Sequence, residues 1–166
     1  KSVFPGLQGG PHMNAIAAIA STLLRAQSDE FKDYARQVLI NAKALANGLL
    51  ARQASLVTGG TDNHMMVVNT VTSYGLDGRV AEETLDKVNI TTNKQIIPDD
   101  PNPPLRPSGI RIGTPAATAR GMTEADMEQM AVWIDQCLRS PEDEAVLGAI
   151  RDEVITFCEK YPVPGI

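Results

Sequence analysis

The sequence is poor in the features that build disulfide scaffolds, metal clusters and membrane spans. Only two cysteines occur, Cys137 and Cys158, and neither belongs to a CxxC or Cys/His ligand pattern, so we expect two core thiols in a reducing compartment. No apolar run approaches the roughly 20 residues of a transmembrane helix, and no segment resembles a signal peptide. These absences predict a cytoplasmic protein without a metal site or a membrane span.

Positive charge is also scarce. The 15 lysines and arginines are outnumbered by 20 aspartates and glutamates, which gives a net charge of -5. A surface that binds nucleic acid or an anionic membrane needs a basic patch. We therefore expect neither kind of partner.

The remaining composition is that of an ordinary globular protein, with 43% hydrophobic and 21% charged residues. A length of 166 residues suits one domain with a core, or one domain and a fragment of another. The sequence starts at Lys1 and passes at once into Val3-Phe4-Pro5-Gly6, which looks like the interior of a chain. We interpret it as a piece of a longer protein.

Hydrophobic periodicity predicts a small α+β domain, with a short antiparallel sheet covered on one face by helices. Strands are predicted at about 55–58, 64–71 and 89–93, and a further strand contains Arg111. Helices are predicted from Pro11, at the first helical position, to about Gln27, from Ser28 over a long amphipathic stretch, and at about 79–88. Two closing helices are predicted to be capped by Thr123-Glu124-Ala125-Asp126 and by Ser140-Pro141-Glu142-Asp143.

The first predicted helix is apolar almost all round, with Ile16, Ile19, Leu23 and Leu24 among its residues. Such a composition is typical of a buried helix. Little in the rest of the sequence looks available to cover every side of it. The helix therefore indicates a larger domain beyond this sequence, and we place the boundary near Ser28.

One arginine, Arg111, stands between two glycines. Read as a strand, the segment places Ile110 and Ile112 on one face, and Arg111 on the other with Gly109 and Gly113. The glycines predict empty space on both sides of the guanidinium, whose fork matches a small carboxylate through two parallel hydrogen bonds. The alternative is a structural ion pair beside glycines that permit close packing.

A second candidate site is the pair Gly9 and Gly10, directly before the first helix. Backbone N–H groups there can point at one spot, where the helix dipole also favours an anion such as a phosphate. A plain turn before a helix is the alternative.

Five segments occur in a characteristic order. They are FPGLQGGP from Phe4, GGTDNH from Gly59, TNK from Thr92 followed by Pro98 and Asp100-Pro101, SGIRIGTPA from Ser108 followed by Arg120-Gly121, and Tyr161-Pro162. In that order and spacing they closely resemble the serine hydroxymethyltransferase family. These pyridoxal-phosphate enzymes move a one-carbon unit between serine and tetrahydrofolate, and so belong to one-carbon metabolism and glycine biosynthesis. The resemblance covers essentially the whole sequence, but only the C-terminal portion of such an enzyme.

The resemblance implies a role for each matching residue. Arg111 would hold the α-carboxylate of serine or glycine. Gly9 and Gly10 would reach the cofactor phosphate of the neighbouring subunit in a homodimer. Folate contacts are implied for Gln95, where many bacterial members have an asparagine, and for a loop made by Pro103, Pro104 and Leu105.

The resemblance also implies which functional residues this sequence lacks. The lysine that binds the cofactor covalently lies upstream of the Phe-Pro-Gly motif in a Thr-His-Lys stretch, and no such stretch occurs here. We therefore assign no catalytic residue and expect the chain alone to be inactive. The implied fold is that of an aspartate-aminotransferase-like (fold-type I) enzyme. Residues 1–28 would end the large cofactor-binding domain with its last helix, and residues 29–166 would form the C-terminal small domain.

Three other functions stay open from the sequence. The chain could be a free-standing module that binds a small carboxylate, or an assembly module of a split enzyme. It could also belong to a related pyridoxal-phosphate-dependent aldolase that acts on another β-hydroxy amino acid.

Overall fold

The computed structural model of the chain describes residues 1–165. The helices are α1 (Met13–Ala26), α2 (Asp29–Ala51), α3 (Thr70–Tyr74), α4 (Gly78–Asp86), α5 (Pro115–Ala119), α6 (Glu124–Arg139) and α7 (Glu144–Cys158), and the strands are β1 (Met65–Asn69), β2 (Asn93–Gln95) and β3 (Gly109–Gly113). Helices and a small antiparallel sheet together confirm the predicted α+β class.

The chain forms two compact units, and the division between them falls inside α2, after Ala35. The first unit contains α1, and none of the α1 side chains is buried by residues 1–165. The burial predicted from its apolar composition is therefore not observed, because a helix is buried only where other apolar groups cover it. The start of α1 also differs from the prediction. His12 is its N-cap in an extended conformation, so Pro11 lies before the helix and not at its first position.

The sheet of the second unit has the strand order β1-β3-β2, and both pairings are antiparallel. β3 is thus the central strand. The register places Arg111 opposite Val67 of β1 on one side and opposite Asn93 of β2 on the other. Residues that face each other in this way share one face of the sheet.

The other face of the sheet lies in the core of the second unit. Ile110 and Ile112 are buried whereas Arg111 is exposed, which confirms the predicted alternation along β3. The helices α2, α4 and α6 supply the facing side chains, including the fully buried Leu49, Leu85, Met127 and Ile134. This packing fixes which face of β3 Arg111 occupies.

The strand predicted over 64–71 ends early because a side chain caps a helix there. Asn69 Oδ1 accepts a hydrogen bond of 3.0 Å from Thr72 N, so the chain turns into α3. Gly75, with a φ of 72°, then ends α3 in the left-handed conformation that glycine adopts without strain.

Two other predicted strands are largely wrong. Asn89 has a φ of 61°, which no strand residue adopts, so the strand predicted over 89–93 begins only at Asn93 and runs to Gln95. The strand predicted over 55–58 is reduced to an isolated bridge between Leu56 and Val68.

The caps of the last two helices have different outcomes. At α6 the prediction is confirmed, because Thr123 N donates to Asp126 Oδ2 at 2.7 Å. At α7 the N-cap is Asp143 rather than Ser140. Its Oδ1 accepts from the N–H groups of Ala145 and Val146, both at 3.1 Å, so the helix starts at Glu144.

Candidate functional site

The Arg111 side chain lies on the exposed face of the central strand. Its Nε donates a hydrogen bond of 3.1 Å to Asn93 Oδ1, and Asn93 Nδ2 in turn donates to the Lys94 carbonyl at 3.0 Å. Arg111 forms no ion pair with any carboxylate among residues 1–165. This observation disfavours the structural ion pair and leaves both terminal amino groups of the fork for an anion.

The two glycines beside Arg111 play different roles. At Gly109 an added Cβ would lie 2.8 Å from the Val68 carbonyl oxygen and 2.9 Å from Ile97 Cγ2. The predicted empty space is therefore wrong on this side, because Ile97 fills it and Gly109 is required for close packing. At Gly113, which is exposed, the nearest atom to an added Cβ would be the His64 carbonyl oxygen at 3.3 Å.

Gln95 lies on the same sheet face as Arg111. It pairs with Gly109 across β2 and β3, two residues along from the pair of Asn93 with Arg111. Its Nε2 donates a hydrogen bond to the neighbouring Ile96 carbonyl at 3.1 Å. Its side-chain oxygen, Oε1, accepts no hydrogen bond from the described residues. The amide can therefore still accept a hydrogen bond from a ligand.

The loop between β2 and β3 is organised around one carboxylate, that of Asp100. It accepts hydrogen bonds from Ile97 N (3.2 Å), Asn102 N (3.0 Å), Ser108 N (2.9 Å) and Ser108 Oγ (2.6 Å). Desolvation opposes its ionisation, but these donors outweigh it and hold the pKa of Asp100 well below its ordinary value. The loop is thereby fastened at both ends beside Gln95 and Gly109.

The predicted folate residues Pro103, Pro104 and Leu105 form the exposed tip of this loop, where Leu105 is 77% exposed. Directly after the tip, Arg106 pairs with Asp77 at 2.7 Å. Asp77 also caps α4 by accepting from Val80 N at 2.9 Å. This ion pair therefore links the loop tip to the start of α4, and the tip presents an apolar surface.

Gly9 and Gly10 belong to the first unit, and both are exposed. A Cβ added at either position would meet no atom within 4 Å, and neither N–H group donates to the described backbone. The backbone is thus accessible to a ligand. Contact with a cofactor phosphate stays a prediction.

The sequence alone predicts no role for Asn93 or Asp100, although Asn93 lies in the TNK segment and Asp100 precedes Pro101. Asn93 becomes significant only through the β2–β3 register, which the sequence does not fix. Asp100 carries a recognisable signal, because an aspartate in a proline-rich loop commonly accepts hydrogen bonds from the backbone just after it.

No group of three or more histidine, cysteine, aspartate or glutamate side chains in the described part of the chain could hold a metal ion. Within the same residues, no helix has the length and apolarity needed to cross a bilayer. Cys137 and Cys158 are free thiols; the first is buried, and burial raises its pKa to about 11.

Comparison with known proteins gives a consistent result. The family model described as serine hydroxymethyltransferase matches residues 1–134. The chain is 46% identical over 166 residues to the serine hydroxymethyltransferase of Sorangium cellulosum. The alignment covers all of the chain and 39% of that protein. The chain is 48% identical over 166 residues to serine hydroxymethyltransferase 2 of Mesorhizobium japonicum, covering the whole chain and 38% of the relative. The chain therefore spans about two fifths of the length of these relatives.

Proposed function

Because the chain belongs to the serine hydroxymethyltransferase family, we propose that it is the C-terminal part of an enzyme that interconverts serine and tetrahydrofolate with glycine and 5,10-methylenetetrahydrofolate. The observation that supports this most directly is the exposed Arg111 guanidinium, which is held by Asn93 and has no carboxylate partner among the described residues. An unpaired, oriented cation on an open sheet face is suited to a carboxylate substrate.

Arg111 binds the α-carboxylate of serine or glycine in this proposal. Its two terminal amino groups donate to the two carboxylate oxygens, while the bond from Nε to Asn93 fixes the plane of the fork. A bidentate contact also restricts rotation of the amino acid, so it orients the bonds at the α-carbon as well as binding the substrate.

Pyridoxal phosphate, bound mainly by the part of the enzyme outside this chain, supplies the electron sink for the reaction. Gly9 and Gly10 would contribute backbone N–H groups to its phosphate in the neighbouring subunit of a homodimer. The open space at both glycines and the dipole of the following α1 support this assignment.

Tetrahydrofolate would contact Gln95 and the loop tip. The Gln95 amide can accept and donate hydrogen bonds to a polar heterocycle, and Pro103, Pro104 and Leu105 offer an exposed apolar surface. Asp100 positions both parts, because it ties the loop to the start of β3 through Ser108.

The same proposal includes the arrangement of the whole enzyme. Residues 1–28 would end a large cofactor-binding domain of fold type I, and residues 29–166 would form its small domain. The two free thiols and the lack of a spanning helix among residues 1–165 are compatible with a cytoplasmic enzyme.

The proposal is tested by Arg111→Lys in the complete enzyme that contains this chain. Lysine keeps the charge and one donor but loses the second parallel hydrogen bond of the fork, so we expect kcat/KM for serine to fall by about 100-fold, the value of about one charge-assisted hydrogen bond. Arg79→Lys is the matched control, since among residues 1–165 Arg79 forms an ion pair only with Glu83 of its own helix α4. A serine kcat/KM within about threefold of normal in Arg111→Lys would exclude the substrate role.

The competing function as a free-standing carboxylate module needs a separate measurement. Calorimetry of the chain alone with serine, in the absence of pyridoxal phosphate, should show no tight binding. Tight binding that Arg111→Lys abolishes would instead identify a binding module.

A further inference from the structure

The helix α4 contacts both of the strands that carry the polar side chains of the candidate site. At Gly78 an added Cβ would collide with the Gly109 carbonyl of β3, so the start of the helix lies directly against that strand. One turn further along the helix, Glu82 contacts Lys94 of β2. The positions of β2 and β3 therefore depend on α4.

Glu82 forms two hydrogen bonds with the same residue of β2. Its Oε2 accepts from Lys94 Nζ at 2.8 Å, and its Oε1 accepts from the Lys94 backbone N–H at 3.1 Å. The bond from the Lys94 ammonium is the main cause of a pKa of Glu82 below the ordinary value. Glu82 therefore holds Lys94 by its backbone as well as by its charge.

The backbone contact is important because β2 is a short edge strand. It has three residues, and among residues 1–165 its only neighbour in the sheet is β3. In an antiparallel pair every second residue directs its N–H away from the neighbouring strand. Lys94 is such a residue, since its N–H donates to Glu82. The Glu82 carboxylate thus occupies the free edge of β2, where a further strand would otherwise bond.

A chain of hydrogen bonds leads from this contact to Arg111. The Lys94 carbonyl accepts from Asn93 Nδ2 at 3.0 Å, and Asn93 Oδ1 accepts from Arg111 Nε at 3.1 Å. Both ends of the Asn93 amide are engaged, so the direction of its oxygen depends on where Lys94 lies. Each step between Glu82 and the guanidinium is a direct contact.

We propose that Glu82 is a positioning residue for substrate binding: it fixes Lys94, and through Asn93 it keeps the Arg111 fork in the orientation that a carboxylate requires. This inference rests on the proposed function, in which Arg111 binds the α-carboxylate of serine. Glu82 supplies no group to the substrate, and its loss should weaken the contact of Arg111 without removing a donor. The alternative is an ion pair that only fastens α4 to the sheet.

Glu82→Ala in the complete enzyme removes both bonds to Lys94. At saturating tetrahydrofolate we expect kcat/KM for serine to fall about tenfold, because a misdirected fork loses part of its bidentate contact. Glu83→Ala is the matched control, since Glu83 is the next residue of α4 and pairs with Arg79 of the same helix. The control should change kcat/KM by less than about twofold.

The same substitution in an Arg111→Lys background separates positioning from a structural role. Because no fork is left to orient, Glu82→Ala should cost less than about twofold there, and the two losses should be strongly non-additive. A contact that only stabilises the fold would cost about the same factor in both backgrounds. Glu82→Gln keeps the size of the side chain but cannot pair with the Lys94 ammonium. It replaces the alanine variant in this cycle if that variant does not fold, with an expected loss of about threefold in the native background alone.

Two results would overturn the inference and leave the proposed function intact. One is a serine kcat/KM that is unchanged in the Glu82 variants, and the other is an equal loss in the native and Arg111→Lys backgrounds. A near-normal kcat/KM for Arg111→Lys alone would instead exclude the proposed function, and this inference with it.

Discussion

Asp100 shows how one side chain controls the conformation of a loop at the candidate site. Its carboxylate accepts four hydrogen bonds from three residues of the segment between β2 and β3. Because these bonds favour the ionised form, the pKa of Asp100 is lower in the folded chain than in the unfolded chain. A group of this kind stabilises the fold above its unfolded pKa, and the stabilisation is lost as the pH falls.

The prediction is a pH-dependent effect of Asp100→Asn. At neutral pH the variant should have a lower free energy of unfolding than the native chain. The difference should begin to shrink below about pH 5, and a large part of it should remain at pH 3, because it is lost completely only below the folded-state pKa of Asp100, which lies well below the ordinary value. Urea unfolding followed by circular dichroism at several pH values measures it.

Asp99→Asn is the matched control for this experiment. The Asp99 side chain is exposed and accepts no hydrogen bond from the described residues, and asparagine tolerates its φ of 53°. The unfolding free energy of this variant should follow the native curve at every pH. A gap between Asp100→Asn and native chain that stayed constant across the pH range would contradict the argument.

At the residue scale, the sequence predicts the exposed face for Arg111 because side chains alternate along any strand. It does not predict that Ile97 fills the space at Gly109, since Ile97 comes from a proline-rich loop whose path has no periodic signal. The same is true of Asn93, whose contact with Arg111 depends on the pairing of two strands separated by that loop. The local sequence pattern therefore predicts the exposed Arg111 guanidinium, but it does not predict the neighbouring residues that position it.

At the element scale, two helical glycines have opposite packing environments. An added Cβ at Gly48 of α2 would lie 2.7 Å from the Ala131 Cβ of α6, whereas at Gly148 of α7 it would meet nothing within 4 Å. Gly48 therefore allows a close helix contact, and Gly148 only reduces the helix propensity of its segment.

The same substitution should then have opposite effects. Gly148→Ala is expected to raise the free energy of unfolding by about 0.5–1 kcal/mol through helix propensity. Gly48→Ala is expected to lower it, because overpacking costs about 1–3 kcal/mol and exceeds that gain. Chemical denaturation of both variants measures the difference. Ala131→Gly should rescue Gly48→Ala by restoring the space, and equal stabilisation by both alanines would refute the packing argument.

The elements that the sequence predicts well are the long periodic helices. The amphipathic stripe of α2 and the cap at Thr123 are strong local signals, and both are present in the structure. The failures are short elements decided by single groups, such as the Asn69 side chain that converts the end of a strand into α3. A second example is Asn89. Its left-handed backbone conformation keeps it out of a strand, so β2 begins later than predicted and ends at Gln95.

At the scale of the whole molecule, the α+β class follows from the alternation of periodic segments. The exposure of α1 does not follow from the sequence, because the burial of an apolar helix depends on which other groups cover it. Leu24 is 72% exposed within the chain, and Ile16, Ile19 and Leu23 are exposed with it. Contiguous apolar surface of this kind favours association with another surface.

The chain expressed alone should therefore self-associate through α1, while its stability resides in the second unit. Leu24→Ser should shift the molecular mass measured by sedimentation toward the monomer. At concentrations where the native chain is monomeric, Leu24→Ser should change the free energy of unfolding by no more than about 0.5 kcal/mol, because the side chain is exposed in the isolated chain. In the domain arrangement proposed above, the large domain would cover this helix.

Leu49→Ala gives the reciprocal case. Leu49 of α2 is fully buried in the core of the second unit. Its truncation to alanine should therefore lower the free energy of unfolding by about 2–5 kcal/mol. Association at low denaturant should stay as in the native chain, because α1 is unaltered. The two variants together separate the surface that assembles from the core that folds. A native chain that sediments as a monomer at all concentrations would contradict the assignment of α1 as the associating surface.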